Sequence, residues 1–195
     1  MSLVVLLGGT FDPIHLGHLI LAQEVLDKAE ADRILFVPAG VPPHKIGAPV
    51  SEARHRLEMV KMAIAGNPQF KVSEVEIRRN GPSFTIDTLH AIRSGLKDSD
   101  ELGLIVGADQ VVEFETWKDY RTIATKFRLF LTTRAGLPEP DREKHPYLRN
   151  AVLVPIPSIE ISSTDIRERV RQGRGIQYLV PREVSRYIRE ERLYL

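Results

Sequence analysis

The densest chemistry in the sequence lies in Gly8-Gly9-Thr10-Phe11-Asp12-Pro13-Ile14-His15-Leu16-Gly17-His18. The glycines let a ligand approach the backbone closely. His15 and His18 stand three residues apart at an expected helix start, which puts both imidazoles on one face. Gly17 between them leaves room for a phosphate. The helix start adds amide donors and the positive end of the helix dipole. Together these groups suit a compact anion site. The same residues would also suit a structural turn in which one histidine caps the helix. No metal site is expected, because no third ligand follows at zinc-like spacing and the chain has no cysteine. The glycine patterns of dinucleotide folds and of P-loops are both absent.

Three further groups of residues follow other apolar runs. Pro42-Pro43-His44-Lys45 sets a phosphate-seeking cation behind two stiffening prolines, although a solvated surface loop would look the same. Ile161-Ser162-Ser163-Thr164-Asp165-Ile166-Arg167 places hydroxyls at a helix start. Ser162 and Asp165 have capping-box spacing, and Arg167 lies one turn on, so hydroxyls, amides and a guanidinium could grip a polyphosphate. Gly107-Ala108-Asp109 sets a carboxylate past a strand end, where it would either accept from ribose hydroxyls or cap a helix. Trp117, the single tryptophan, falls in a loop after a strand and suits either the core or a planar ring.

These residues need a scaffold, and the apolar pattern supplies one. Short runs at Leu3–Leu7, Arg33–Val37, Phe70–Ile77, Leu102–Val106, Arg128–Thr132 and Ala151–Pro155 read as strands. Helices are expected at Leu16–Ala29, from a Ser51 cap through Ala65, and at Ser83–Arg93, Tyr120–Thr125, Ser163–Arg171 and Arg182–Glu191. Pro38–Pro49 and Gly136–Arg149 read as loops. Alternation of this kind predicts an α/β fold, a Rossmann-like doubly wound parallel sheet with a small C-terminal helical part. One domain over 1–195 is expected, with 160–195 as a helical subdomain capping the sheet.

Composition limits the function classes. The chain has 195 residues, 43% of them hydrophobic, which suits a globular domain that buries roughly 70% of its unfolded surface. Lys plus Arg is 27 and Asp plus Glu is 26, a balance ill suited to coating nucleic acid but compatible with a local basic pocket. The apolar start at Leu3–Leu7 is too short for a signal peptide or a membrane span. A cytoplasmic protein is expected, and zero cysteine fits that location.

The combination of Gly8–His18, Pro42–Lys45 and Ile161–Arg167 resembles the bacterial nicotinate-nucleotide adenylyltransferases. Ser83–Leu89, Gly107–Asp109 with Trp117, and Tyr178–Pro181 resemble that family in its order, so the likeness spans essentially the whole chain. Phe84 and Ala135 depart from it, standing where relatives often have Tyr and Pro. The resemblance implies that ATP and nicotinate mononucleotide give deamido-NAD and pyrophosphate, with Mg²⁺ carried by ATP and pyrophosphate. It implies that Gly8, Gly9, Thr10, Phe11 and His18 meet ATP, that His15 helps hold its triphosphate, and that Ser163, Thr164 and Arg167 bind the triphosphate tail. Gly107 and Asp109 would hold adenosine, Lys45 would contact phosphate where the substrates meet, and Thr85 and Trp117 would frame the pyridine ring.

The reaction needs charge neutralisation rather than a strong acid or base. Its expected catalytic set is therefore His15, His18, Lys45 and Arg167. A sister enzyme such as a phosphopantetheine adenylyltransferase or cytidylyltransferase shares the His15–His18 pattern but not the Pro42–Lys45 and Trp117 regions. A fragment of a class I aminoacyl-tRNA synthetase would need a longer chain. A non-catalytic nucleotide sensor would bind ATP without releasing pyrophosphate. No nucleic-acid or membrane partner is expected, and whether the chain forms a homo-oligomer is left open.

Overall fold

A computed structural model describes residues 1–42, 49–134 and 143–195, with the side chains of Asp109 and Arg134 set aside. Six strands form one sheet: β1 (Leu3–Gly9), β2 (Arg33–Pro38), β3 (Phe70–Val72), β4 (Glu101–Gly107), β5 (Arg128–Arg134) and β6 (Val152–Ile156), in the order β3-β2-β1-β4-β5-β6. All neighbouring pairs are parallel.

Alternation along the strands divides the core. Leu3, Val5 and Leu7 of β1 enter one apolar cluster, with Ile34, Phe36, Ile105 and Phe130. Val4 and Leu6 enter the other, with Leu102, Leu104, Val106, Leu129 and Leu131. This is the two-sided burial of a central parallel strand. The first cluster is covered by α1 (Leu16–Lys28), α2 (Ala53–Ile64), α6 (Ser163–Arg171) and α7 (Arg182–Glu190). The second is covered by α3 (Thr85–Arg93), α4 (Ala108–Val111) and α5 (Tyr120–Lys126). Ile166, Val184 and Ile188 lie in the same cluster as β1, so the final helices share the sheet's core.

Three expectations about elements need correction. The third strand stops at Val72 rather than Ile77. The amide of Ser73 donates to Phe36 O, so the next donor needed from β2 on that edge is the amide of Pro38, and proline has none. Glu74–Arg79 instead turns back on itself, Arg78 N donating to Glu74 O. Second, Ser51 does not cap α2, whose N-cap is Glu52 without a side-chain bond. Ser51 is used in tertiary contacts: its amide donates to Asp12 Oδ2 and its carbonyl accepts from Arg56 Nε. Third, the described part of 136–149 is not all loop. Pro146–Leu148 forms a 3-10 turn, which buries Leu148 and stacks Tyr147 on Phe114 at 5.3 Å.

Strand order reverses between β2-β1 and β1-β4, which opens a crevice at the strands' carboxyl ends, where such sheets take ligands. Gly9 and Gly107 end the two strands that flank it.

Candidate active site

A cavity of about 380 Å³ opens at this crevice. Gly8, Gly9 and Thr10 line it, and so do Phe84, Thr85, Thr116 and Trp117. One space therefore joins the glycine loop to the residues expected around a planar ring. Trp117 is half-buried and leans on Phe114, ring centroids 5.2 Å apart. Thr85 is the first residue of α3, following the extended Phe84.

The loop after β1 is fixed from inside. Phe11 adopts φ 51° and buries its ring against Phe36 and the edge of His18. Phe11 is only 2% exposed, so it shapes the loop from within. Gly9 is glycine for a local reason: a Cβ there would stand 2.9 Å from the Phe11 ring.

His15 and His18 do share one face. Their rings stack with centroids 3.7 Å apart. The His15 amide donates to His18 Nδ1 at 3.2 Å, which leaves the His18 ring proton to Nε2. Gly17 packs closely under the His15 ring: a Cβ on Gly17 would meet His15 Nδ1 at 3.1 Å. Not every amide of the helix start is available, since Leu16 N already donates to Leu179 O at 2.9 Å.

His15 is 7% exposed, and its Nδ1 has no hydrogen-bond partner among the described residues. Burial lowers its pKa from 6.5 to about 4, so the ring is neutral at pH 7 without ligand. Between these two values the unfolded chain binds a proton that the folded chain refuses. His15 should therefore lower stability as pH falls from 6.5 through about 4, by on the order of 3 kcal/mol at the end of that window. In an NMR titration of the ligand-free protein, His15 should remain neutral above about pH 5; titration near 6.5 would contradict this burial.

The α6 start docks onto the same loop. Ser162 Oγ accepts from Asp165 N at 3.0 Å, so capping holds for that serine. Ser163 Oγ donates to Pro13 O at 2.9 Å. Arg167 donates to Asp12 O at 2.8 Å and to Thr164 Oγ1 at 3.2 Å. Ser163 and Arg167 thus reach the Asp12-Pro13 segment just before His15, and Thr164 pairs with Arg167.

Gly107 N donates to Gln110 Oε1 at 3.0 Å, and Gln110 lines the cavity. Asp109 lies on α4, its side chain outside the described residues. Lys45 and Ala135 also fall outside them.

With this geometry in place, similarity to known proteins can be compared with it. The chain matches the cytidylyltransferase-like family over residues 6–169. It is 43% identical to a probable nicotinate-nucleotide adenylyltransferase of Thermomicrobium roseum, over 100% of this chain and 92% of that one. The chain belongs to the nicotinate-nucleotide adenylyltransferase family. A second relative of that name, from Symbiobacterium thermophilum, is 44% identical over 100% of this chain and 96% of its own. In fold, the chain resembles the nicotinic acid mononucleotide adenylyltransferase of Plasmodium falciparum, solved with APC and with NaAD, at a TM-score of 0.82 and 17% identity, over 100% of this chain and 98% of that one.

Several residues of this adenylyltransferase-family site carry no motif and were missed in sequence. Arg56 is 1% exposed and donates to three carbonyls: Ser51 O at 2.9 Å, Thr10 O at 2.9 Å and Gly40 O at 3.1 Å. It ties the glycine loop to the loop after β2. Asp12 accepts from the Tyr194 hydroxyl at 2.8 Å, and burial, then Asp12, raises that phenol's pKa. Glu76, also buried, accepts from Thr88 Oγ1 at 2.7 Å in the cavity wall. No periodicity flags such residues, because their partners are main-chain groups or lie far along the chain.

Proposed function

We propose that this protein joins ATP and nicotinate mononucleotide to give deamido-NAD and pyrophosphate. The observation that carries this reading is the single cavity shared by Gly8, Gly9 and Thr10 at the switch point and by Thr85 and Trp117 beside it. A mononucleotide seated on Thr85 and Trp117 would have its phosphate directed toward ATP held at the glycine loop.

The mononucleotide phosphate is already an anion, so its oxygen attacks the ATP α-phosphorus without a base. A bond forms between that oxygen and the α-phosphorus as the bond to the β-phosphate oxygen breaks. Pyrophosphate leaves with the Mg²⁺ that entered as part of the ATP substrate. The protein's part is to align two polyanions and offset the charge gathering at the α-phosphorus. His18 would donate from Nε2 to the phosphates, with His15 beneath it. Ser163, Thr164 and Arg167 would hold the triphosphate tail, which gives residues 160–195 a share of the ATP site. Lys45 would bridge the two phosphate groups, and Gly107 and Asp109 would hold adenosine. Phe11 would act through its main chain. A cytoplasmic location belongs to the same proposal; among the described residues, no helix is long and apolar enough to cross a membrane.

Chromatography of a reaction containing ATP, Mg²⁺ and nicotinate mononucleotide should show deamido-NAD, and omitting either nucleotide should abolish it. A complete mixture that yields no dinucleotide would refute the proposal.

A further inference from the structure

Among the described residues that line the cavity, two carry a charge: Glu76 and Lys118. Glu76 lines the cavity but is buried. It is 7% exposed, burial raises its pKa, and hydrogen bonds from Thr88 and Ser83 act against that rise. Its oxygens are therefore engaged by hydroxyls of the cavity wall itself.

Lys118 is placed differently. It follows Trp117 directly and lines the cavity with Phe84 and Thr85. Its Nζ lies 4.8 Å from the Phe84 ring centroid. The Asp87 carboxylate accepts from the same Nζ at 2.9 and 3.1 Å, yet Asp87 does not line the cavity. A cavity-lining lysine is thus paired with a carboxylate that is not part of the lining. The side chains of Lys118 and Asp87 are 50% and 39% exposed, so the pair contributes little to the fold.

We infer that Lys118 biases the ring pocket toward a pyridine that bears a carboxylate over one that bears an amide, and that Asp87 behind it limits the bias. The inference rests on the proposed function and names a specificity-determining pair for it. Nicotinate and nicotinamide mononucleotides differ in this pocket by one negative charge. A cation within a Debye length of that charge, in a half-exposed site, is worth roughly threefold to tenfold in relative kcat/KM. Asp87 opposes the same charge from farther away and partly cancels the ammonium. The two residues should therefore shift discrimination in opposite directions.

The test is the ratio of kcat/KM for nicotinate mononucleotide to that for nicotinamide mononucleotide, at saturating ATP and Mg²⁺. Lys118→Met should lower the ratio about threefold or more. Asp87→Asn should raise it about twofold or more. Lys118→Arg should hold it near the parent value, because the charge is kept. The double variant Asp87→Asn with Lys118→Met should recover part of what Lys118→Met loses. High salt should shrink both single-variant effects. A ratio unchanged in both single variants overturns the inference. So does a shift of both in the same direction, which would mark altered packing at Phe84. A parent protein that releases no pyrophosphate with either nucleotide overturns the functional reading and the inference with it.

Discussion

Replacing His18 with alanine is expected to lower kcat at least about 100-fold, the usual scale for losing one preorganised donor at developing charge. The ring is held on three counts. Its Nδ1 accepts from the His15 amide, it stacks on His15, and its edge meets Phe11 with centroids 5.0 Å apart. Such locking fixes both the tautomer and the direction of the ring. The loss should appear mainly in kcat, because the proposed ATP contacts of Arg167, Ser163 and Thr164 would remain. Steady-state pyrophosphate release reads the effect, and a thermal melt shows that the variant is folded. A folded His18→Ala protein within about tenfold of the parent kcat would contradict the role given to this ring.

The second large effect is expected at a residue that touches no substrate in the proposed mechanism. Arg56→Met should destabilise the protein by about 3 kcal/mol or more, by removing a buried guanidinium that satisfies three part-buried carbonyls. For a chain of this size that corresponds to a fall in Tm of about 6–12 °C. Burial lowers the guanidinium's pKa, while Asp12, Tyr194 and Glu76 act against this, so the charge is compensated by its surroundings. Arg56→Lys should not restore stability, because one ammonium cannot span the carbonyls of Thr10, Gly40 and Ser51 as a planar fork does. Activity should fall with stability, since Thr10 belongs to the cavity wall. A melting temperature within about 2 °C of the parent would show that Arg56 does not carry these loops.

What was legible in sequence follows from the kind of force involved. Strand alternation at Val4, Val5, Leu6 and Leu7 reports burial on both faces, so the parallel sheet could be read directly. Short-range chemistry was also readable: the stacking of His15 on His18 and the Ser162 cap depend on spacings of three residues. Long-range accounting was not. The end of β3 depends on a missing amide at Pro38, a residue of the neighbouring strand. Ser51 looked like a cap because of its type, but Asp12 and Arg56 claimed its main-chain groups. Gly17 also has a packing role that its spacing did not announce, for a Cβ there would press on the His15 ring. A spacing rule describes neighbours along the chain and cannot see a side chain arriving from elsewhere. The Lys118–Asp87 pair shows the same limit, for it joins α3 to the segment after Trp117, 31 residues on.

The central claim is that this cavity transfers an adenylyl group to a pyridine mononucleotide. Its most direct measurement is pyrophosphate released from ATP and Mg²⁺ with nicotinate mononucleotide, nicotinamide mononucleotide or phosphopantetheine as the single acceptor. The account predicts rapid release with nicotinate mononucleotide, slower release with nicotinamide mononucleotide and none with phosphopantetheine. Release with phosphopantetheine alone, or with no acceptor, would contradict it.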